Sequence, residues 1–196
     1  MAFYNLDMNQ KNKTKKIIIG LTGEIACGKG AVVDYLVKKY QASSYRYSKI
    51  LRDILDRVYQ EQTRKNMTDL SDWLRKNFGQ DILSKTLAND IKQDKNKLIV
   101  FDGLRRAPEL NIFKKIPGFI LIKIVSGPKI SYKRFIKRNE NPGDHKKTYQ
   151  QFLKDLKGLS DYEIPEVMKQ ANFEINNDGS MKNLYEQIDR IILKYG

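Results

Sequence analysis

Short apolar runs alternate with longer amphipathic segments along the whole chain. Four of the runs are rich in β-branched residues and predict buried strands: Ile17 to Leu21, Leu98 to Phe101, Phe119 to Val125 and Phe173 to Asn176. The amphipathic segments have apolar residues at helical spacing and predict helices: Ala31 to Tyr40, Ser48 to Gln62, Thr68 to Gly79, Asp81 to Lys92, Lys129 to Arg138, Lys147 to Gly158 and Ser180 to Tyr195. This order predicts an α/β fold in which strand-helix units surround a parallel sheet.

Length and composition predict one folded domain. The chain has 196 residues, of which 40% are hydrophobic, so it can bury one substantial core. We expect that domain to span residues 16–196 and to follow a flexible basic arm over residues 1–15, which lacks the apolar segment of a signal peptide or membrane span. The one cysteine, Cys27, excludes an internal disulfide, and together these features predict a cytoplasmic protein without membrane contact.

The chain is strongly basic. Lys and Arg number 37 against 23 for Asp and Glu, which gives a net charge of +14 and predicts attraction to polyanions such as nucleotides or nucleic acid. The basic residues are spread over the whole chain, however, as they are on many solvated lysine-rich surfaces. We therefore do not favour nucleic acid as the main partner.

A glycine-rich segment follows the first predicted strand and has the spacing of a phosphate-binding loop. Gly23, four further residues, Gly28 and Lys29 form this segment, and a helix is predicted directly after it. Such a turn points main-chain N–H groups and a helix N-terminus at phosphate oxygens, while the lysine supplies a movable charge. Gly30 and Ala31 occupy positions where hydroxyl residues are usual. An ordinary glycine-rich turn is the structural alternative.

The segment Ile18-Ile-Gly-Leu-Thr-Gly-Glu-Ile-Ala-Cys-Gly-Lys-Gly-Ala-Val-Val33 resembles the start of dephospho-coenzyme A kinases, and Gly28-Lys-Gly30 resembles adenylate kinase-like enzymes. The resemblance implies a three-layer P-loop NTPase fold with a central parallel sheet and a helical lid, with ATP and Mg²⁺ as cofactors. Ala31 stands where the family usually has threonine, which implies one phosphate contact fewer. The implied donor-binding residues are Gly23, Ala26, Cys27, Gly28, Lys29, Gly30 and Ala31, and Lys29 is also implied to be catalytic.

Two further motifs resemble acceptor-binding segments of such kinases. Tyr47-Ser-Lys-Ile-Leu-Arg52 is similar to the segment of nucleoside monophosphate kinases whose arginine binds the acceptor phosphate. Val100-Phe-Asp-Gly-Leu-Arg-Arg-Ala-Pro-Glu109 looks like the Asp-Gly-Ile-Arg-x-Pro-x-Glu signature of small P-loop kinases. The resemblance implies that Arg52 and Arg105 bind acceptor phosphate and that Asp102 is catalytic and orients metal-bound water. Arg52 could instead be a surface arginine, and Asp102 could merely cap a helix that begins near Arg106.

The last third of the chain contains the implied lid and base-binding turn. Arg134 and Arg138 lie one helical turn apart before the Pro-Gly turn of Asn139 to Asp144. In the resembling kinases such a helix carries catalytic lid arginines, which implies a lid at about residues 128–165; a solvated basic helix face is the alternative. The turn at Asn177 to Ser180 is similar to the turn that holds adenine, with Asn177 and Gly179 as cofactor-binding residues; simple turn chemistry explains it equally well.

Together these features predict an ATP-dependent phosphotransferase that acts on a phosphorylated small molecule, with a nucleoside or deoxynucleoside monophosphate as the favoured acceptor. One alternative is dephospho-coenzyme A kinase, which is disfavoured because Tyr45 to Lys49 lacks the acidic pair usual in that family. A second is a nucleotide-dependent protein that binds or modifies nucleic acid. That alternative rests on the net charge and on candidate stacking residues, namely Tyr45, Tyr47, Tyr132 and Tyr149.

Overall fold

The computed structural model describes residues 16–139, 143–156 and 163–195, so the predicted arm over residues 1–15 lies outside it. The strands in these ranges are β1 Ile17–Thr22, β2 Ser43–Arg46, β3 Leu98–Asp102, β4 Phe119–Val125 and β5 Phe173–Asn176. The α-helices are α1 Lys29–Tyr40, α2 Tyr47–Arg57, α3 Arg64–Phe78, α4 Ile82–Gln93, α5 Ala107–Phe113, α6 Pro128–Arg138, α7 Tyr149–Leu156, α8 Ile164–Lys169 and α9 Met181–Tyr195. A short 3-10 helix spans Asp144–Lys146.

The strands form one sheet in the order β2-β3-β1-β4-β5, and every neighbouring pair is parallel. The register sets Leu21 beside Asp102, and Asp102 beside Arg46. Because parallel strands end at the same edge of the sheet, the loop after β1 lies next to the residues that end β3 and β2. The predicted α/β class and parallel sheet are confirmed.

Helices cover both faces of the sheet. On one face α1 and α9 pack through residues such as Val32, Leu36 and Ile188. On the other face α4, α5 and α8 pack through residues such as Leu87 and Phe113. These side chains are at most 2% exposed, so the apolar faces of the helices form two cores with the sheet between them.

Several predicted elements differ from the structure. Two elements are not predicted by the sequence pattern. They are β2, an edge strand whose burial alternates, and the short helix α8, which has a proline in its first turn. The second predicted helix ends at Arg57 rather than Gln62, since Tyr59 takes a left-handed conformation with φ of 57°. The next helix begins at Arg64, before the predicted start, because the Thr63 side chain accepts a hydrogen bond from the Asn66 N–H.

A third, smaller apolar cluster joins α6 and α7 to the glycine-rich loop. Phe135 and Phe152 pack with Ala26 of the loop, and Ile25 and Tyr132 pack against them. The predicted lid therefore begins as a segment in contact with the loop, although residues 140–142 and 157–162 of its range lie outside the described residues. Among the described helices, none is both long enough and apolar enough to cross a membrane.

Candidate functional site

The loop between β1 and α1 has a conformation that demands glycine at two positions. Gly23 and Gly28 adopt φ of 147° and 107°, which L side chains rarely take. A Cβ atom on Gly23 would lie 2.4 Å from the Ile124 carbonyl oxygen, and one on Gly28 would lie 1.9 Å from Asn177 Nδ2. The glycines of the predicted motif are thus required by close packing around the loop as well as by its turn.

The loop leads directly into α1, which begins at Lys29. The first-turn N–H groups of a helix have no partner within that helix, and they carry the positive end of its dipole. The Lys29 ammonium group lies over the loop, donating to the carbonyl oxygens of Gly23 at 2.8 Å and Glu24 at 3.0 Å. The start of a helix and a lysine at one point are a combination suited to phosphate oxygens.

The two residues after Lys29, Gly30 and Ala31, determine which hydrogen-bond donors the first turn of α1 contains. Apart from its own helix and chain neighbours, no described residue has an atom within 4 Å of the place where a Cβ on Gly30 would sit. Ala31 is half-buried and packs against the core beneath α1. Neither supplies a hydroxyl group, so the hydrogen-bond donors that this turn offers are main-chain N–H groups and the Lys29 ammonium group.

Cys27 is a structural part of the loop. Its side chain is 1% exposed, and its sulfur is a weak acceptor for Lys29 Nζ at 3.7 Å. Burial raises the pKa of the thiol, and the negative charge of Asp102 acts in the same direction, while the positive charge of Lys29 opposes both. A buried thiol held in its neutral form is a poor nucleophile, so the Cys27 side chain packs the loop.

Asp102 ends β3 beside the loop. Its Oδ1 atom is buried and has no hydrogen-bond partner among the described residues, which is costly unless another group joins it there. Among the described residues, no three His, Cys, Asp or Glu side chains are grouped to hold a metal ion. Mg²⁺ in kinases is commonly held by one or two carboxylates with water and substrate phosphates, so this single orphaned oxygen fits that ion.

Arg134 and Asn177 meet on the other side of the loop. Asn177 Nδ2 donates to the Cys27 carbonyl oxygen at 2.8 Å, and Arg134 donates to the same oxygen at 3.4 Å. Arg134 also donates to the Asn177 carbonyl oxygen at 2.8 Å and to Ser126 Oγ at 3.2 Å. The structure therefore brings α6, the turn after β5 and the loop together, with the Arg134 guanidinium group against main-chain oxygens.

The turn after β5 is fixed by its neighbour Asp178, a residue that the sequence analysis did not single out. The Asp178 carboxylate accepts from the Gly127 N–H at 2.7 Å and from Ser126 Oγ at 2.9 Å. Those hydrogen bonds, the one from Gly127 first, hold the pKa of Asp178 below its ordinary value. The turn at Asn177 to Gly179 is thereby held against the start of α6.

Three further predicted arginines are exposed on the surface of the molecule. Arg52 is exposed on α2 and donates to Gln62 Oε1 at 2.8 Å. Arg105 is exposed in the loop after β3, and its main-chain N–H donates to Glu109 Oε2 at 3.3 Å. Arg138 is exposed near the end of α6, one turn beyond Arg134. Their predicted roles in binding and catalysis stay predictions.

A buried ion pair near Arg105 was missed by sequence reasoning. Arg75 Nη2 and Glu109 Oε1 lie 2.8 Å apart, with side chains 11% and 3% exposed. Burial, and then the negative charge of Glu109, raise the pKa of the neighbouring Tyr47 hydroxyl. The Glu at the end of the quoted Asp-Gly motif was a signal for this pair, but its partner lies 34 residues away on α3.

The five-stranded parallel sheet and the glycine-rich loop after β1 form the fold of small P-loop kinases. The shikimate kinase from Acinetobacter baumannii, solved with shikimate, matches at a TM-score of 0.58 and 18% identity, over 92% of this chain and 95% of that one. The dephospho-CoA kinase from Campylobacter jejuni matches at a TM-score of 0.52 and 18% identity, over 92% of this chain and 98% of that one. At such identities the likeness shows the fold, and the predicted P-loop NTPase architecture is confirmed.

Sequence relatives carry less functional information. A UPF0200 protein from Staphylothermus marinus is 29% identical over 181 residues, which cover 92% of this chain and 93% of the relative. No protein-family model matches the chain. The similarity extends over nearly the whole length of both proteins, and the relative's name states no activity.

Proposed function

We propose that this protein is an ATP-dependent kinase that transfers the γ-phosphate of ATP to a phosphorylated small molecule, with a nucleoside or deoxynucleoside monophosphate as the favoured acceptor. The observation that carries the proposal is that a positively charged group and a carboxylate lie at the same edge of the sheet. Lys29 and the N-terminus of α1 supply positive charge, and the unpartnered Asp102 Oδ1 lies on the neighbouring strand. Phosphoryl transfer requires both.

On the donor side, the chain's own groups bind and orient ATP. Lys29 would exchange its two main-chain carbonyl partners for phosphate oxygens, a stronger hydrogen bond because donor and acceptor are both charged. Arg134 and Asn177 hold the Cys27 carbonyl oxygen and so fix the loop from behind. When bound, Mg²⁺ would supply charge neutralisation on the phosphates, and Asp102, whose Oδ1 atom is buried without a partner among the described residues, would hold it through water.

On the acceptor side, Arg52 and Arg105 would bind the acceptor's phosphate group. A phosphate oxygen of the acceptor forms the new bond to the γ-phosphorus, and the bond from that phosphorus to the bridging oxygen breaks to release ADP. An ionised acceptor phosphate needs no base, so positioned positive charge carries most of the rate enhancement. Arg138, and Arg134 if it leaves its main-chain partners, would add charge stabilisation in the transition state.

A phosphorylated acceptor is favoured because the residues proposed to bind it, Arg52 and Arg105, are positively charged. The shikimate kinase that shares this fold acts, by its name, on an acceptor without phosphate, so the fold alone does not select one. Arginines suit phosphate because their planar fork makes two parallel hydrogen bonds. Dephospho-CoA remains the second candidate, supported by the kinase of that name among the structural neighbours. The absence of an acid in Tyr45 to Lys49 still disfavours it.

The test is an ATP-consumption screen over ribo- and deoxynucleoside 5′-monophosphates, dephospho-CoA and short oligonucleotides. With the active acceptor, Arg52→Ala and Arg105→Ala should each lower the acceptor kcat/KM by roughly tenfold to a hundredfold, since each removes a hydrogen bond to a charged group. The KM for ATP should change little. Arg57→Ala, at another exposed arginine of α2, is the matched control and should behave as wild type.

Two outcomes would contradict the proposal. A protein that consumes ATP with none of the small acceptors is not a kinase of this class. If both arginine variants leave acceptor kinetics unchanged but weaken oligonucleotide binding, the nucleic-acid alternative takes the place of the monophosphate kinase.

A further inference from the structure

Helix α3 is attached to the rest of the molecule in an unusual way. None of its residues is fully buried, yet its Arg75 side chain is only 11% exposed. Arg75 reaches Glu109 of α5 at 2.8 Å and also donates to the Gln80 carbonyl oxygen at 2.7 Å. The polar contact with Glu109 therefore links α3 to α5, the helix that follows the Asp102 loop.

The second oxygen of Glu109 has a different partner. Glu109 Oε1 accepts from Arg75, while Glu109 Oε2 accepts from the main-chain N–H of Arg105 at 3.3 Å. One carboxylate thus joins α3 to the residue that we propose binds the acceptor phosphate. At 3% exposure, this carboxylate is shielded from water, which strengthens both contacts.

The loop between β3 and α5, which contains Arg105, is also hydrogen-bonded to the end of β1, next to the phosphate-binding loop. The buried Thr22 hydroxyl, at the last position of β1, donates to the Leu104 carbonyl oxygen at 2.9 Å. Thr22 directly precedes Gly23, the first glycine of the phosphate-binding loop. A continuous series of contacts therefore runs from the donor loop through Leu104 and Arg105 to Glu109 and α3.

We infer that Glu109 is a positioning residue for the acceptor: its carboxylate sets the main chain at Arg105 and, through Arg75, holds α3 in a fixed relation to it. The inference rests on the proposed function, in which Arg105 binds the acceptor phosphate. A hydrogen bond from the Arg105 N–H fixes the main chain from which the Arg105 side chain extends. Small misplacements of a binding group lower the reaction rate. Glu109 does not itself touch the substrate.

The test must separate positioning from stability. Removing one member of a buried ion pair leaves an uncompensated charge and threatens folding, whereas replacing both members is often tolerated. We therefore compare two double variants, R75M/E109Q and R75M/E109L, after thermal unfolding has verified that each is folded. Both lack the ion pair, but only R75M/E109Q keeps a side-chain oxygen that can accept from the Arg105 N–H, so it is the conservative rescue.

Hydrogen exchange at the Arg105 amide, measured by NMR, reads the contact without any activity. We expect exchange several-fold faster in R75M/E109L than in wild type, and a rate near wild type in R75M/E109Q. Equal Arg105 exchange rates in all three proteins would overturn the inference, whatever the enzyme does. This measurement stands even if no acceptor is found, so failure of the inference is distinguishable from failure of the proposed function.

Steady-state kinetics measure whether loss of the Glu109 contact weakens acceptor binding. The acceptor KM should rise about tenfold in R75M/E109L, with kcat and the KM for ATP changed much less, and it should return towards wild type in R75M/E109Q. A merely structural role would lower kcat in both variants alike. Unchanged acceptor KM in R75M/E109L, despite faster Arg105 exchange, would also overturn the positioning role.

Discussion

At the scale of single residues, Gly28 shows how the phosphate-binding loop depends on a distant side chain. A Cβ on Gly28 would meet Asn177 Nδ2, the same amide that donates to the Cys27 carbonyl oxygen. The loop and the turn after β5 therefore fit together only if position 28 lacks a side chain. Gly30, two residues on, has no such neighbour.

Gly28→Ala should therefore destabilise the protein by about 1–3 kcal/mol or more, because the added Cβ meets both a strained φ and a clash. It should also weaken ATP binding. Gly30→Ala is the matched control: its position is helical and open, so the free energy of unfolding should be unchanged or slightly higher. Thermal unfolding and ATP titration measure both effects. Equal melting temperatures for the two variants would count against the described loop packing.

At the scale of elements, α1 begins at Lys29, and side chains near its other end form hydrogen bonds with α9. The Asp189 carboxylate of α9 accepts from the hydroxyls of Tyr35 and Tyr40, at 2.8 and 2.7 Å, and from Lys39 Nζ at 2.7 Å. Tyr35 also stacks on Tyr185 with ring centres 3.9 Å apart. Partial burial opposes ionisation of Asp189, but the hydrogen bonds from Lys39, Tyr40 and Tyr35 outweigh it and lower the pKa of the carboxyl.

The contribution of these Asp189 hydrogen bonds to stability should depend on pH. Because the pKa of Asp189 is lower in the folded than in the unfolded protein, its stabilisation is fully present above the unfolded value of about 3.9 and is lost as pH falls through the folded value. Denaturant unfolding at pH 7 should show wild type more stable than Asp189→Asn, and the difference should shrink below about pH 4. A difference that stays constant down to pH 3 would contradict the assigned ionisation.

The elements also show how far sequence reasoning reaches. Continuous apolar runs such as Phe119–Val125 were predicted to the residue, because central parallel strands are buried on both faces. Ser43–Arg46 was missed because an edge strand with alternating burial has no such run. The P-loop spacing predicted the glycine-rich turn between β1 and α1, since the backbone requirements of such a turn are local. The Arg75 and Glu109 pair and the Arg134 contact with Cys27 depend on tertiary approach over 34 and 107 residues, which no local pattern encodes.

At the scale of the whole molecule, the net charge of +14 has to be weighed against where the charges lie. Several lysines form ion pairs with acids one helical turn away, which is the arrangement of a solvated helix surface: Lys49 with Asp53, Lys65 with Asp69, Lys85 with Asp81 and Lys169 with Glu166. These four pairs therefore belong to ordinary solvated surface, while the net charge, from which their acids are already subtracted, attracts nucleotides and nucleic acid alike.

The central claim is that the loop around Lys29 binds ATP for phosphoryl transfer, and the most direct measurement follows γ-labelled phosphate from ATP to the acceptor. Wild type should form ADP and phosphorylated acceptor in equal amounts, and Lys29→Ala should lose roughly a hundredfold or more of this rate, as when one preorganised donor is removed from a charged transition state. Lys38→Ala, at an exposed lysine of the same helix, should leave the rate unchanged. Equal label transfer by wild type and Lys29→Ala would contradict the account.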